Sequence, residues 1–179
     1  MTQPHIVAIG GTTRASSSTG RALDAALRLA AERGARTTLL SGAAIDFPNF
    51  DPEAGEPSAA VAHFVATIRT ADAIVIGSPG YHGSFSGLVK NALDHVEMTS
   101  KDSRVYFSGL PIGLVATAAG WQAAVTTLTA LRGVVHALRG WPTPLGVAIN
   151  TMDGAEAVAK AEPQIAMMVD QIFEFLTRH

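Results

Sequence analysis

The chain has 179 residues, 47% of them apolar and 16% charged, with a net charge of −2 and no cysteine. That composition supports a sizeable core and excludes a disordered tail; the missing cysteines exclude disulfides, cysteine nucleophiles and thiolate metal sites. The charge balance lacks the basic excess of a protein that coats nucleic acid, so no nucleic-acid partner is expected.

Residues 6–9 form the first short β-rich run, and Leu23, Leu27 and Ala30 form the first helical stripe. A second run at 37–40 leads into an irregular stretch, 46–57, with three prolines and a glycine, which reads as a surface loop. Val61, Phe64, Val65 and Ile68 form the next stripe, followed by a strand at 74–76 and a helix carrying Leu88, Ala92 and Val96. A strand at 112–116, a helix with Val125, Leu128, Val135 and Leu138, and a strand at 145–149 complete the alternation. The last helix carries Ile165, Met168, Val169, Ile172 and Leu176, and Pro163 is expected to open it. Strands without polar alternation are buried on both faces, and their alternation with helices predicts a doubly wound α/β domain with a parallel sheet. No segment approaches the roughly 20 apolar residues of a bilayer span. Residues 1–5 lack the basic and apolar regions of a signal peptide, so a soluble, cytoplasmic protein without a membrane partner is expected.

Two loops carry the chemistry. The first follows strand one and reads Gly-Gly-Thr-Thr-Arg-Ala-Ser-Ser-Ser-Thr-Gly from position 10. Hydroxyls, Arg14 and the start of a helix together make a nest for a phosphate monoester such as that of FMN. The other reading is that Ser17 or Ser18 simply caps the helix and Arg14 pairs with a surface carboxylate. Neither a P-loop lysine nor a three-glycine dinucleotide fingerprint is present. The second loop runs from Gly77 through Asp94. At a point where neighbouring strands send their helices to opposite faces, its glycines, Pro79, Tyr81 and His82 can line a flat ring.

These stretches resemble the NAD(P)H-dependent FMN reductases of the flavodoxin-like fold. The family pattern Pro-x-Tyr-x-x-Ser-x-x-Gly-x-x-Lys-Asn-x-x-Asp is met by Pro79, Tyr81, Ser84, Gly87, Lys90, Asn91 and Asp94. Its phosphate loop, Gly-Ser-x-Arg-x-x-Ser, is met by Gly11, Arg14 and Ser17, with Thr12 in place of the serine. Gly80 and His82 depart from the glutamate and asparagine often found there. The resemblance implies one flavodoxin-like FMN-binding domain over 1–179, with a five-stranded parallel sheet ordered 2-1-3-4-5 and helices on both faces. It implies a phosphate site at Thr12, Arg14, Ser17, Ser18 and Thr19. It implies a ring site at Pro79, Gly80, Tyr81, His82, Gly83 and Ser84, and a third contact at Thr117, Ala118, Ala119 and Gly120. The implied reaction passes hydride from NAD(P)H to FMN; the reduced flavin then passes electrons to a small-molecule acceptor or leaves for a flavin-dependent monooxygenase, in a homodimer or homotetramer. The flavin carries that chemistry, so no catalytic side chain is named. Quinone, azo and chromate reductases of the same family are alternatives. So is a flavodoxin-like electron carrier, which the charge of −2 disfavours because such carriers are usually more acidic.

Other constellations point less far. His82, Asp94 and His95 lack the spacing of a helical metal pair, so no metal is expected. No serine has the flanking glycines of a nucleophile elbow. Trp121 and Trp141 read as core, subunit contact or, for Trp121, the border of the substrate pocket. Glu97, Lys101, Asp102 and Arg104 read as a solvated turn or, second, a subunit contact.

Overall fold

A computed structural model describes residues 3–14 and 16–178. Residues 1 and 2, part of the stretch expected not to form a signal peptide, and Ala15 of the first loop fall outside the described residues. In chain order the elements are β1 (His5–Gly10), α1 (Ser18–Glu32), β2 (Arg36–Ser41), α2 (Ala59–Arg69), β3 (Ala73–Tyr81), β4 (Ser84–Phe85) and α3 (Gly87–Asp94). They continue with β5 (Pro111–Ala118), α4 (Trp121–Ala137), β6 (Trp141–Pro142), β7 (Val147–Asn150) and α5 (Ala157–Arg178).

The sheet runs β2-β1-β3-β5-β6, with β7 also paired to β5 and β4 paired to β3. This is the expected doubly wound order, with two local differences. The fifth strand is split into β6 and β7, both parallel to β5. The break lies just after Thr143, whose N–H still donates to the Ile112 carbonyl, because the next inward N–H, that of Leu145, is bonded to the Gln171 side chain at 2.9 Å instead of to β5. The short antiparallel β4 turns back on the end of β3.

Alternation along the central strands divides the core between the two faces. Val7, Ile9, Ile74, Ile76, Ile112 and Leu114 pack under α2, α3 and α4. Ile6, Ala8, Val75, Val115, Val147 and Ile149 pack under α1 and α5. Helix starts are set by serines: Ser17 accepts from the Gly20 N–H, Ser58 from Val61 and Ser86 from Val89.

Three sequence expectations change. Pro163 lies inside α5, not at its start. It sits on the exposed side, where water can take up the carbonyl that the missing N–H leaves unpaired. The buried stripe of α4 is Ala124, Thr127, Leu131 and Val135, while Val125 is 50% exposed. The turn containing Arg104 is not merely solvated. Its guanidinium donates to the carbonyls of Ala71 (2.5 Å), Ile68 (2.7 Å) and Arg69 (2.9 Å), and so caps the C-terminal end of α2. Arg69 in turn pairs with Asp102 at 2.7 Å. Burial pulls the Arg104 guanidinium below arginine's ordinary value, and Asp72 and Asp102 oppose that shift. Replacing Arg104 with methionine leaves three carbonyls unmatched and is expected to cost about 1–3 kcal/mol in urea unfolding.

His5 makes the stability of the fold depend on pH. Its Nδ1 lies 3.2 Å from the Thr70 carbonyl and so carries the proton, while Nε2 accepts from the Thr38 hydroxyl at 2.8 Å. Burial holds the imidazole below histidine's ordinary pKa; Arg36 adds to this, and the Thr70 bond and Asp72 oppose it. The unfolded chain therefore takes up this proton first as pH falls. The His5 contribution is complete above about pH 6.5 and is lost as pH falls from there through the folded-state pKa. Melting temperatures measured across this range are expected to fall on acidification, by less in His5→Gln than in the parent.

Candidate functional site

Strand register brings the loops together. Gly10 is level with Gly77 and Ser41, Pro79 with Thr117, and Ala118 with Asn150. The segments after β1, β3, β5 and β7 therefore leave the sheet on one edge, between neighbours whose helices cover opposite faces. A cavity of about 690 Å³ opens there. That lies within the few hundred to ~1,000 Å³ common for small-molecule sites.

One end of the cavity is the first loop. Thr12, Arg14, Ser17, Ser18 and Thr19 line it, together with Thr13 and Ser16. The Thr12 hydroxyl accepts from the Arg14 N–H at 3.0 Å and shapes the turn. Ser17 is indeed the helix cap, accepting from Gly20 at 3.0 Å. The Ser18 and Thr19 N–H groups lie in the first turn of α1, where no intrahelical acceptor exists. Arg14 carries the one formal charge among the described lining residues, and no carboxylate among the described residues pairs with it. The expected alternative, a surface ion pair, is therefore not seen.

Pro79, Gly80 and Tyr81 make the second wall, and Thr117, Ala118 and Ala119 the third. The buried hydroxyls of Thr19 and Thr117 meet at 2.6 Å and tie the first loop to the third. Gly80 has no room for the glutamate often found there. A Cβ would stand 2.5 Å from Thr127 Oγ1 and 3.0 Å from the Ala118 Cβ. The Thr127 hydroxyl is buried without a hydrogen-bond partner among the described residues.

His82, Gly83, Ser84 and Gly120 do not line the cavity. His82 and Gly83 form the two-residue turn between Tyr81 and Ser84, with φ of 50° and 90°. Hairpin turns of this length favour positive φ at both positions, which asparagine, glycine and, less often, histidine adopt. Thr151, which no loop pattern in the sequence marks, also lines the cavity. The signal available was its position just past the fifth strand, on the same edge as the other loops.

Several residues in and beside the second family pattern build scaffold. Ser78 accepts from the Ser86 N–H at 2.9 Å and donates to the Pro79 carbonyl at 2.8 Å. Asn91 accepts from the Phe50 N–H at 2.9 Å and donates to the carbonyls of Phe47 and Pro48, pinning that segment to α3. Lys90 pairs with Asp94 at 2.6 Å, and His95 Nδ1 donates to the Asn91 carbonyl. No three His, Asp or Glu side chains converge as a metal site among the described residues. Trp121 is 56% exposed and lines a smaller cavity beside Asn150 and Asp153 instead of the main one. No described helix is long and apolar enough to cross a membrane.

Sheet order, edge location and loop chemistry define a flavodoxin-like protein. The sequence matches the NADPH-dependent FMN reductase family over residues 4–153, and the chain belongs to that family. It is 31% identical over 140 residues to an FMN-dependent NADPH-azoreductase of Staphylococcus aureus strain USA300, covering 74% of this chain and 71% of that one. A Staphylococcus haemolyticus protein of the same description is 34% identical over 109 residues, 61% of this chain; the match spans about half (54%) of that relative's length. Among solved structures, the flavoenzyme NAD(P)H:(acceptor) oxidoreductase FerB from Paracoccus denitrificans superposes with a TM-score of 0.77 at 20% identity, over 98% of each chain.

The residues fit FMN. A lone cation, six hydroxyl side chains and a helix start suit its phosphate, and glycine and alanine walls leave width for a flat ring.

Proposed function

We propose that this chain, as one FMN-binding domain, is an NAD(P)H-dependent FMN oxidoreductase that reduces a small-molecule acceptor. The carrying observation is that one cavity joins the Arg14 hydroxyl loop to the small-residue walls at 79–81 and 117–119. Bound FMN supplies two-electron acceptance from a reduced nicotinamide and onward transfer. The protein's part is to bind and orient. Arg14 and the first turn of α1 hold the phosphate, and Pro79, Gly80 and Tyr81 face the ring edge. Ala118 and Ala119 let backbone approach it. Tyr81, 55% exposed at the mouth, leaves a face open for nicotinamide and then acceptor. The azoreductase relatives favour an azo compound as that acceptor. A cytoplasmic setting, which supplies reduced nicotinamide, suits this activity.

Self-association through α4 is part of the reading. Trp121 and Val125, one turn apart, are 56% and 50% exposed, and such paired apolar residues suit a subunit contact.

The test follows nicotinamide absorbance with purified protein, with and without FMN, and then with an azo dye. Oxidation that depends on FMN and accelerates with dye is expected. FMN binding without nicotinamide oxidation would leave an electron carrier. A rate independent of dye, with free reduced flavin accumulating, would favour supply to a monooxygenase.

A further inference from the structure

We propose that Asn150, oriented by Asp153, is the positioning residue of the third wall of the cavity and thereby sets how tightly FMN is held; this rests on the FMN reading above. Asn150 ends β7 and is 8% exposed. Its Oδ1 accepts from the Gly120 N–H at 2.8 Å and from the Met152 N–H at 3.0 Å. Its Nδ2 donates to Asp153 Oδ1 at 2.9 Å.

Each bond has a distinct consequence. Gly120 caps α4 with φ of 105° and has no side chain to close the turn itself, so the loop 117–120 borrows its anchor from β7. The Ala118–Asn150 register puts that anchor within reach. The Met152 bond bends the following segment, whose first residue, Thr151, lines the cavity. One carboxamide oxygen thus joins two segments of the cavity wall. Asp153 decides which way the carboxamide points, because only with Nδ2 toward the carboxylate does Oδ1 face both N–H groups. Asn150 and Asp153 do not line the cavity, so their effect on a ligand passes through the backbone.

The geometry suggests a swap. Asn150→Asp keeps the acceptor but sets two carboxylates against each other and loses the donor to Asp153. Asn150→Asp with Asp153→Asn restores a donor facing an acceptor, with polarity reversed and net charge equal to that of the parent. Two readouts apply: hydrogen exchange of the Gly120 amide in the apoprotein, and FMN dissociation constants from quenching of flavin fluorescence. In Asn150→Asp, repulsion from Asp153 turns the new carboxylate away from the Gly120 N–H, so Gly120 exchange and the FMN Kd are each expected to rise about tenfold, the scale of that one hydrogen bond. In the swap, both are expected to return to within about threefold of the parent. An Asn150→Asp protein as protected and as tight as the parent overturns the proposal, as does a swap no better than the single variant. If Asn150→Asp does not fold, the swap alone decides by matching the parent or not. Should the parent itself not bind FMN, the functional reading fails, while Gly120 exchange still decides the role of Asn150.

Discussion

Gly10→Ala is expected to destabilise the protein by about 3–5 kcal/mol, lowering its urea midpoint further than the other substitutions described here. Two costs combine. The residue has φ of 135°, a conformation that L side chains rarely adopt. A Cβ there would also collide with the Gly77 carbonyl oxygen of the adjacent strand. A side chain could rotate away, but this obstacle is backbone, held in the β1–β3 ladder at the Gly10–Gly77 register and bonded to the Gly11 N–H at 3.0 Å. Relief therefore requires the two central strands to part where the cavity begins. Gly55→Ala is the control. Beyond its two chain neighbours, no atom of the described residues lies within 4 Å of its Cβ position and its φ is not in the left-handed range, so its midpoint is expected to match the parent. Equal midpoints for Gly10→Ala and Gly55→Ala would show that β1 and β3 are not packed this closely.

Arg14→Ala is expected to weaken FMN binding roughly ten- to a hundredfold, the range for loss of one charge-assisted hydrogen bond. The side chain holds no carboxylate among the described residues, and it is the one charge on the described cavity lining. Its removal therefore takes away attraction for an anion without exposing a stranded partner. Riboflavin, the same ring system without the phosphate, makes the test specific. Its affinity is expected to be the same in parent and variant. Equal losses for FMN and riboflavin would move Arg14 from the phosphate to the ring. An unchanged FMN Kd would remove it from the site.

Asn91 and Arg14 show what a motif conveys. Both stand at positions that match family patterns, yet Arg14 lines the cavity and Asn91 binds the 47–50 segment to α3. A linear pattern records that a residue type is required and leaves open whether a ligand or the fold requires it. His82 and Gly83 illustrate the same point, because the hairpin they close needs their positive φ.

By itself the sequence determined the α/β class, the strand and helix order, the first and second loops and the family. Each of these is written in local periodicity or in consecutive residues, where burial on a strand or helix face repeats along the chain. Only the tertiary structure decided the split fifth strand, the inward face of α4, Thr151 in the cavity wall, and the roles of Arg104 and Asn150. These depend on partners distant in sequence: Arg104 on carbonyls at 68–71, Asn150 on the amide at 120, and Thr127 on the absent side chain at 80. A hydrogen bond or a close approach between such residues has no period and no spacing. It exists once the sheet order has brought the strand ends to one edge.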